Sequence, residues 1–417
     1  MTASKPRINR SISLLSTFLY GFCATIFASL VALPAAAVGP APSEQITAEG
    51  KRSHNYSNVR SSTKLDVIIP AFDPNIPENP DDYEKLGVWP ELRNAEAKLF
   101  ALRLRESMEN SGVFGAVRVT PNDEALGELY VTGKILKSNS EDVHLEISVQ
   151  DISQKQWFRT PQKFTYRVSE YNLQSARTKD NDPYAPIFQE ITEHIIARLA
   201  REREKNLAKL KNLSAMVLAR SYSEETFGPY LVERRGRLKL RELPADNDPK
   251  FQRALRLKAR EDVFIDELQD HYQVYEGDLH DSYAAWQRDS FPEAKEFRLA
   301  RKKARKQRGL GVLTTVASVV LATQADGNDV ATAGAIAGGI AGGTLIYRSF
   351  RTNADSKVHQ EQLKEYGKTL DLELGPKNIE FEGETIELTG TAAEQFQQHR
   401  DYLKQWYEAE ETPQVLL

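Results

Sequence analysis

Apolar and polar residues alternate in several short segments between positions 65 and 168, and a period of two predicts strands. LDVIIPAF (65–72) is a continuous apolar run containing a proline, the pattern of a short buried strand. AVRVT (116–120), ELYVTGKIL (128–136), DVHLEISVQD (142–151) and WFRTPQKFTYRV (157–168) alternate as half-buried strands do. In ELRNAEAKLFALRLRESMENSG (91–112), Leu92, Ala95, Leu99 and Leu102 share one helical face, with Gly112 at the C-cap position. A second helix is expected from about Tyr184 to Leu213, on Ile187, Ile191, Ile195 and Leu199. This order predicts an α+β domain over residues 63–205, a small antiparallel or mixed sheet with two packed helices.

Residues 206–308 read as a charged helical region. Apolar side chains at 264, 268, 272, 275, 279, 283 and 286 fall on one helical stripe, which predicts packing against a core or a partner helix. Gly277 is a candidate kink. Residues 348–417 predict a charged helix over 352–370, a β-hairpin in NIEFEGETIELTG (378–390) with Gly383 at its tip, and a final helix. Thr391 and Glu394 have capping-box spacing, and Phe396, Tyr402, Leu403 and Trp406 are expected to pack back onto a domain.

Between these regions lie two apolar segments, 309–322 and 330–347, joined by a connector containing Asp326, Gly327 and Asn328. Gly334, Gly338 and Gly342 recur every four residues, as do Ala335, Gly339 and Gly343 beside them. Such ridges of small side chains let helices approach closely, in lipid or inside an oligomer. The stretch resembles the glycine-zipper hairpins of Gram-negative outer-membrane lipoproteins. Immediately before it, Arg301, Lys302, Lys303, Arg305, Lys306 and Arg308 form a basic cluster suited to an anionic lipid face. The first segment, rising only about 21 Å as a helix, falls short of a hydrocarbon core of about 30 Å. Membrane association and burial between subunits therefore both stand as readings of residues 309–347.

The first 37 residues change the picture of compartment. Lys5, Arg7 and Arg10 precede an apolar run from Ile12 to Leu33 and then Pro34-Ala35-Ala36-Ala37, the layout of a secretory signal with Ala35 and Ala37 flanking the cleavage site. An uncleaved inner-membrane anchor is the alternative. Cleavage after Ala37 removes three basic residues and no acid, so the net charge of −4 becomes −7, and the single cysteine, Cys23, is lost. Residues 38–62, rich in Ser, Asn and Pro, read as a flexible linker. The body is expected in the periplasm, associated with the outer membrane more than the inner. With 55 basic and 59 acidic residues there is no basic excess of the kind nucleic-acid binding requires.

The strand Ile69-Pro70-Ala71-Phe72, the turn Ser111-Gly112-Val113-Phe114 and the strand Val131-Thr132-Gly133 resemble a small domain shared by Gram-negative envelope proteins. The relatives are curli-secretion channel lipoproteins, the N-terminal domain of the Tol-system propeller protein and auxiliary lipoproteins of lipid transporters. The resemblance implies an envelope docking module. It also implies a lipidated cysteine at the mature N-terminus, which this sequence lacks.

Catalytic motifs are absent: no phosphate loop, no G-x-S-x-G and no H-E-x-x-H occurs. Glu190 and His194 are followed by Arg198 and Arg201 on the same polar side, as on a solvated ion-pair face. His271 and His280 lie among acidic residues but are about 13 Å apart along a helix. The expectation is a non-enzymatic, oligomeric envelope component without cofactors or metal. Its partners are itself, other envelope proteins and an anionic membrane surface. A periplasmic metal-dependent enzyme or binding factor using His271 and His280 is the alternative.

Overall fold

The computed structural model describes residues 63–170, 173, 182–245, 247–309, 357–381 and 384–411. The chain is α+β. Its main sheet contains β1 (Val67–Pro70), β2 (Val117–Thr120), β3 (Leu129–Ser138), β4 (Asp142–Asp151) and β5 (Gln162–Arg167), in the order β2-β1-β3-β4-β5. β1 runs parallel to both β2 and β3, whereas β3, β4 and β5 are antiparallel, so the sheet is mixed. β1 is buried along its whole length, which explains its unbroken apolar sequence. β3 and β4 alternate between buried and more exposed positions. The fifth strand begins only at Gln162, after Pro161, rather than at Trp157.

The short helix α1 (Asp81–Leu86) precedes α2 (Pro90–Ser111), whose C-cap is Gly112 in the left-handed conformation. α2 packs beside α3 (Ala185–Leu199). The single helix expected from Tyr184 to Leu213 is instead two: the chain turns over Ala200–Arg203, and α4 (Glu204–Tyr222) continues in a new direction. No breaker residue marks this turn. Arg203 is extended, and Glu202 is held by Lys155 at 2.7 Å and Arg198 at 2.7 Å. The break also redirects the chain: Leu199 and Leu207 join the main core, whereas Leu213 and Met216 join a second apolar cluster.

After the short α5 (Glu224–Phe227) comes a small hairpin absent from the sequence-based expectation, β6 (Leu231–Glu233) with β7 (Leu238–Leu240). Then α6 (Pro249–Gly309) runs for 61 residues. Its start follows ordinary capping chemistry. Asp248 accepts from the Phe251 backbone at 3.0 Å, and Pro249 occupies the first helical position, where its missing N–H costs nothing. The helix continues through Gly277 and Pro292 without interruption. α7 (Lys357–Tyr366), the hairpin β8 (Lys377–Phe381) with β9 (Glu384–Leu388), and α8 (Ala392–Glu411) complete the body. Thr391 and Glu394 form the expected capping box, the Thr391 backbone donating to Glu394 Oε2 at 2.8 Å.

All seven stripe residues of α6, Phe264, Leu268, Tyr272, Tyr275, Leu279, Tyr283 and Trp286, are buried in the core that also contains β1, α2 and α3. α6 additionally seals an edge of the sheet. The Gln269 side-chain amide accepts from the Val119 backbone N–H and donates to its C=O, both at 2.8 Å, taking the place of a neighbouring strand. Beside it, Arg118 grips Asp266 with two hydrogen bonds of 2.6 and 3.0 Å.

Two of the motifs noted in the sequence touch. A Cβ added at Gly133 would lie 2.4 Å from the ring of Phe72, so Phe72 occupies the space that any side chain on β3 would need there. Gly133→Ala is predicted to lower stability by about 1–3 kcal/mol, as overpacking does, and pairing it with Phe72→Leu should recover part of the loss. Urea unfolding of the two single variants and the double variant checks this; an unchanged midpoint for Gly133→Ala contradicts the contact.

Candidate functional site

The residues nominated from sequence separate into two groups. Ala35, Ala37, Gly334, Gly338, Gly339, Gly342 and Gly343 lie outside the described residues. Arg301, Lys302 and Lys303 are exposed on the last turns of α6, and Arg305, Lys306 and Arg308 continue the same helix. His271 is exposed and His280 is half-buried. Among the described residues no group of three or more His, Cys, Asp or Glu side chains is placed to hold a metal ion. His194 rests between the rings of Phe158 and Phe164, at 4.9 and 5.6 Å.

The structure shows why the basic cluster stands where it does. Arg298 bonds the buried Glu141 through both carboxylate oxygens at 2.8 and 2.9 Å, at the turn between β3 and β4. From there to Gly309 the helix advances about 16 Å. The cluster thus occupies the distal end of α6, next to the apolar segments in sequence.

The return of the chain is clamped by α2. The Lys98 ammonium donates to the carbonyls of Tyr366 at 3.0 Å and Thr369 at 2.7 Å, and the Asn94 amide donates to that of Gly367 at 3.0 Å. The Tyr366 carbonyl ends α7, where helical C=O groups have no internal partner, and those of Gly367 and Thr369 belong to the turn that follows. Burial pushes the Lys98 ammonium down to about 8, against the pull of Asp371 and Glu373. Gly367 permits the approach, because a Cβ there would sit 1.8 Å from the Glu91 carbonyl oxygen. α7 lies antiparallel on α6, with His359 meeting Ser282 at 3.0 Å and Tyr366 donating to Asp278 at 3.0 Å. The body therefore grips the chain on both sides of residues 310–356.

Two further buried polar groups were invisible in the sequence. Glu96, fully buried on α2, accepts from Ser138 of β3 at 2.5 Å and Tyr283 of α6 at 3.0 Å, with Arg93 at 3.9 Å. Burial raises its carboxyl above the ordinary range, partly opposed by Arg93, Ser138 and Tyr283. The group cross-links three elements. Only its helical spacing from Arg93 was legible, and that spacing normally marks a surface pair.

The other group joins α6 to α8. Glu261 is 4% exposed, and its nearest counter-ion is Arg400, 3.9 Å away. Burial pushes the Glu261 carboxyl up to about 7; Arg400 and Lys258 oppose the shift and Asp262 adds to it. Next to it on α8, His399 stacks on Phe264 at 4.5 Å, and burial takes its imidazole down to about 4.

A shallow cleft between α2, the residues just before α3 and α6 is lined by Leu99, Arg103, Asp182, His280, Tyr283 and Gln287 among others. Its inner cation is already used, since Arg103 pairs with Glu276 at 3.0 Å and Asp182 at 3.5 Å. The cleft assembles no nucleophile–base pair of the kind covalent catalysis uses.

Fold and charged groups together define a mixed α+β body carrying one very long helix with a basic distal end. No family model, no curated protein and no solved structure matches the chain.

The buried acid generates a pH prediction. Glu261 has a folded value of about 7 against an ordinary 4.5, so its neutral form is favoured in the folded state. The stability it contributes is present at low pH and is lost as the pH rises through about 7. His399 acts oppositely: its contribution is complete above its ordinary 6.5 and is lost as the pH falls toward about 4. Glu261→Gln is predicted to gain roughly 2–3 kcal/mol over wild type at pH 8 and nothing at pH 4. Urea midpoints across that range check it, and an equal difference at both ends contradicts it.

Proposed function

We propose that this protein is a non-enzymatic, exported component of the cell envelope. It associates with an anionic membrane face through the glycine-rich stretch that follows α6 and acts as an oligomeric docking element. The observation that carries the reading is the placement of the basic residues. Arg301, Lys302 and Lys303 are exposed at the distal end of α6, where the long apolar segments begin in sequence. Polybasic segments gain about 1 kcal/mol per residue near an anionic leaflet. The rows of Gly334, Gly338 and Gly342, and of Gly339 and Gly343, supply small-residue faces for close helix contact, with lipid or a second copy alongside.

The α+β body supports a docking role. Lys98, Asn94 and Arg298 fasten both approaches to that stretch onto the sheet domain, so a load on the segment passes into the core. The resemblance to envelope domains points the same way through Phe72 and Gly133, which are in contact. Among the described residues no helix is long and apolar enough to cross a membrane. On this reading attachment belongs to residues 309–347 and the basic end before them.

Flotation of the processed chain with vesicles tests the proposal. The chain should float with phosphatidylglycerol-containing vesicles at low ionic strength. Binding should fall about tenfold when Arg301, Lys302 and Lys303 are changed to Glu. Gly338→Leu with Gly342→Leu should leave capture at low salt and abolish retention after a high-salt wash. Equal recovery of wild type with zwitterionic and anionic vesicles, or no flotation at all, contradicts the reading.

A further inference from the structure

α6 turns a stripe toward solvent, interrupted at Lys295, which is half-buried and pairs with Glu170. Val263, Asp270, Val274, Asp281, Arg288 and Lys302 are all exposed and fall at intervals of seven, four, seven, seven and fourteen residues, which keeps them on one face. Val263 and Val274 are 58% and 63% exposed, high for aliphatic side chains flanking a buried core. Along this face the charge changes sign: Asp270 and Asp281 come first, Arg288 and Lys302 after. Among the described residues none of these four makes an ion pair. Their neighbours Glu267 and Asp278 are engaged by Lys377 and Tyr366.

A stripe acidic in its first half and basic in its second complements itself when reversed. A two-fold axis crossing α6 near residue 285 brings Asp281 opposite Arg288 of the second copy and Asp270 opposite its Lys302. The first pair is centred between residues 284 and 285 and the second on residue 286, an offset that the long Arg and Lys side chains span, so one register serves both. Ala284 lies at the crossing, where a small side chain lets two helices approach.

The same operation sets Gly277 opposite the exposed Pro292. Gly277 lowers the helix propensity, and the position of its missing Cβ has nothing within 4 Å. Among the described residues nothing requires a glycine there, whereas close approach of a second backbone would.

We propose that this face of α6 is a homodimer interface, on which a second copy docks antiparallel with Asp270 and Asp281 facing Lys302 and Arg288. The inference stands on the body alone and goes beyond the membrane reading, because the glycine-rich stretch plays no part in it. Exposed ion pairs are individually weak and screened by salt. Symmetry makes each occur twice, so the interface is weak, salt-sensitive and strongly dependent on charge register.

Sedimentation equilibrium of the processed full-length chain tests it, in a Gly338→Leu, Gly342→Leu background so that the glycine ridges cannot hold the copies. At low ionic strength the parent should dimerise, and the dimer should weaken at high ionic strength. Asp281→Arg or Arg288→Asp alone should weaken it about tenfold or more, each charge being used at two symmetric places. The double variant, with both signs exchanged, should return close to the parent affinity, and circular dichroism confirms that each variant is folded. A parent that stays monomeric at every concentration, single reversals without effect, or a double variant no better than the singles overturns the proposal. Charge reversals made in the wild-type glycine sequence complete the test: self-association that survives them there and is absent from the glycine-substituted background overturns this interface and leaves the membrane reading standing.

Discussion

A helix of 61 residues gains little from its own backbone bonds in water. What fixes α6 is burial of the stripe from Phe264 to Trp286 in the core built by β1, α2 and α3. Each large apolar side chain removed from water contributes about 1.5–3 kcal/mol, so the seven together are worth on the order of 10 kcal/mol. The Glu96 cross-link needs Tyr283 on that stripe, the sealed edge of β2 needs Gln269 beside it, and α7 is laid along it through Tyr275 and Tyr366. Removing the stripe would expose the core and free the edge strand together.

That dependence links the fold to the proposed role. The first half of α6 is held in the core, Arg298 ties the next portion to the sheet domain, and the basic end stands beyond. On the far side of the glycine-rich stretch, the Lys98 clamp returns the chain to α2. In the proposed role, these ties give the glycine-rich stretch a base in the α+β body on both sides. The buried acid Glu261 and the buried imidazole His399 lie at the opposite end of the stripe, where α8 closes the core. Their opposite pH responses place the most favourable packing of α8 at mildly acidic pH.

Periodicity carried most of the fold in the sequence. The alternation in β3 and β4, the apolar run of β1, the cap at Gly112, the box at Thr391 and Glu394, and the α6 stripe all stand in the structure as their patterns imply. What escaped has specific physical causes. The turn between α3 and α4 has no glycine or proline, because packing into two different apolar clusters and the hold on Glu202 impose it. The β6–β7 hairpin has strands of three residues, too short for alternation to register. Glu96, Lys98 and Glu261 look like ordinary helical surface charges, because their burial comes from partners 42 to 271 positions away, or from α8. Of the residues nominated for function, Arg301, Lys302 and Lys303 are exposed as a surface cluster requires, and the glycine rows lie outside the described residues.

Native-state hydrogen exchange tests most directly whether the α6 stripe and the sheet are one cooperative unit. The amides of residues 264–286 should exchange with the same opening free energy and denaturant dependence as those of β1 and β3, through global unfolding alone. Exchange of residues 264–286 at a distinctly lower free energy, with β1 and β3 still protected, would show that the helix is an accessory to a self-sufficient domain. That result would remove the rigid base on which this account rests.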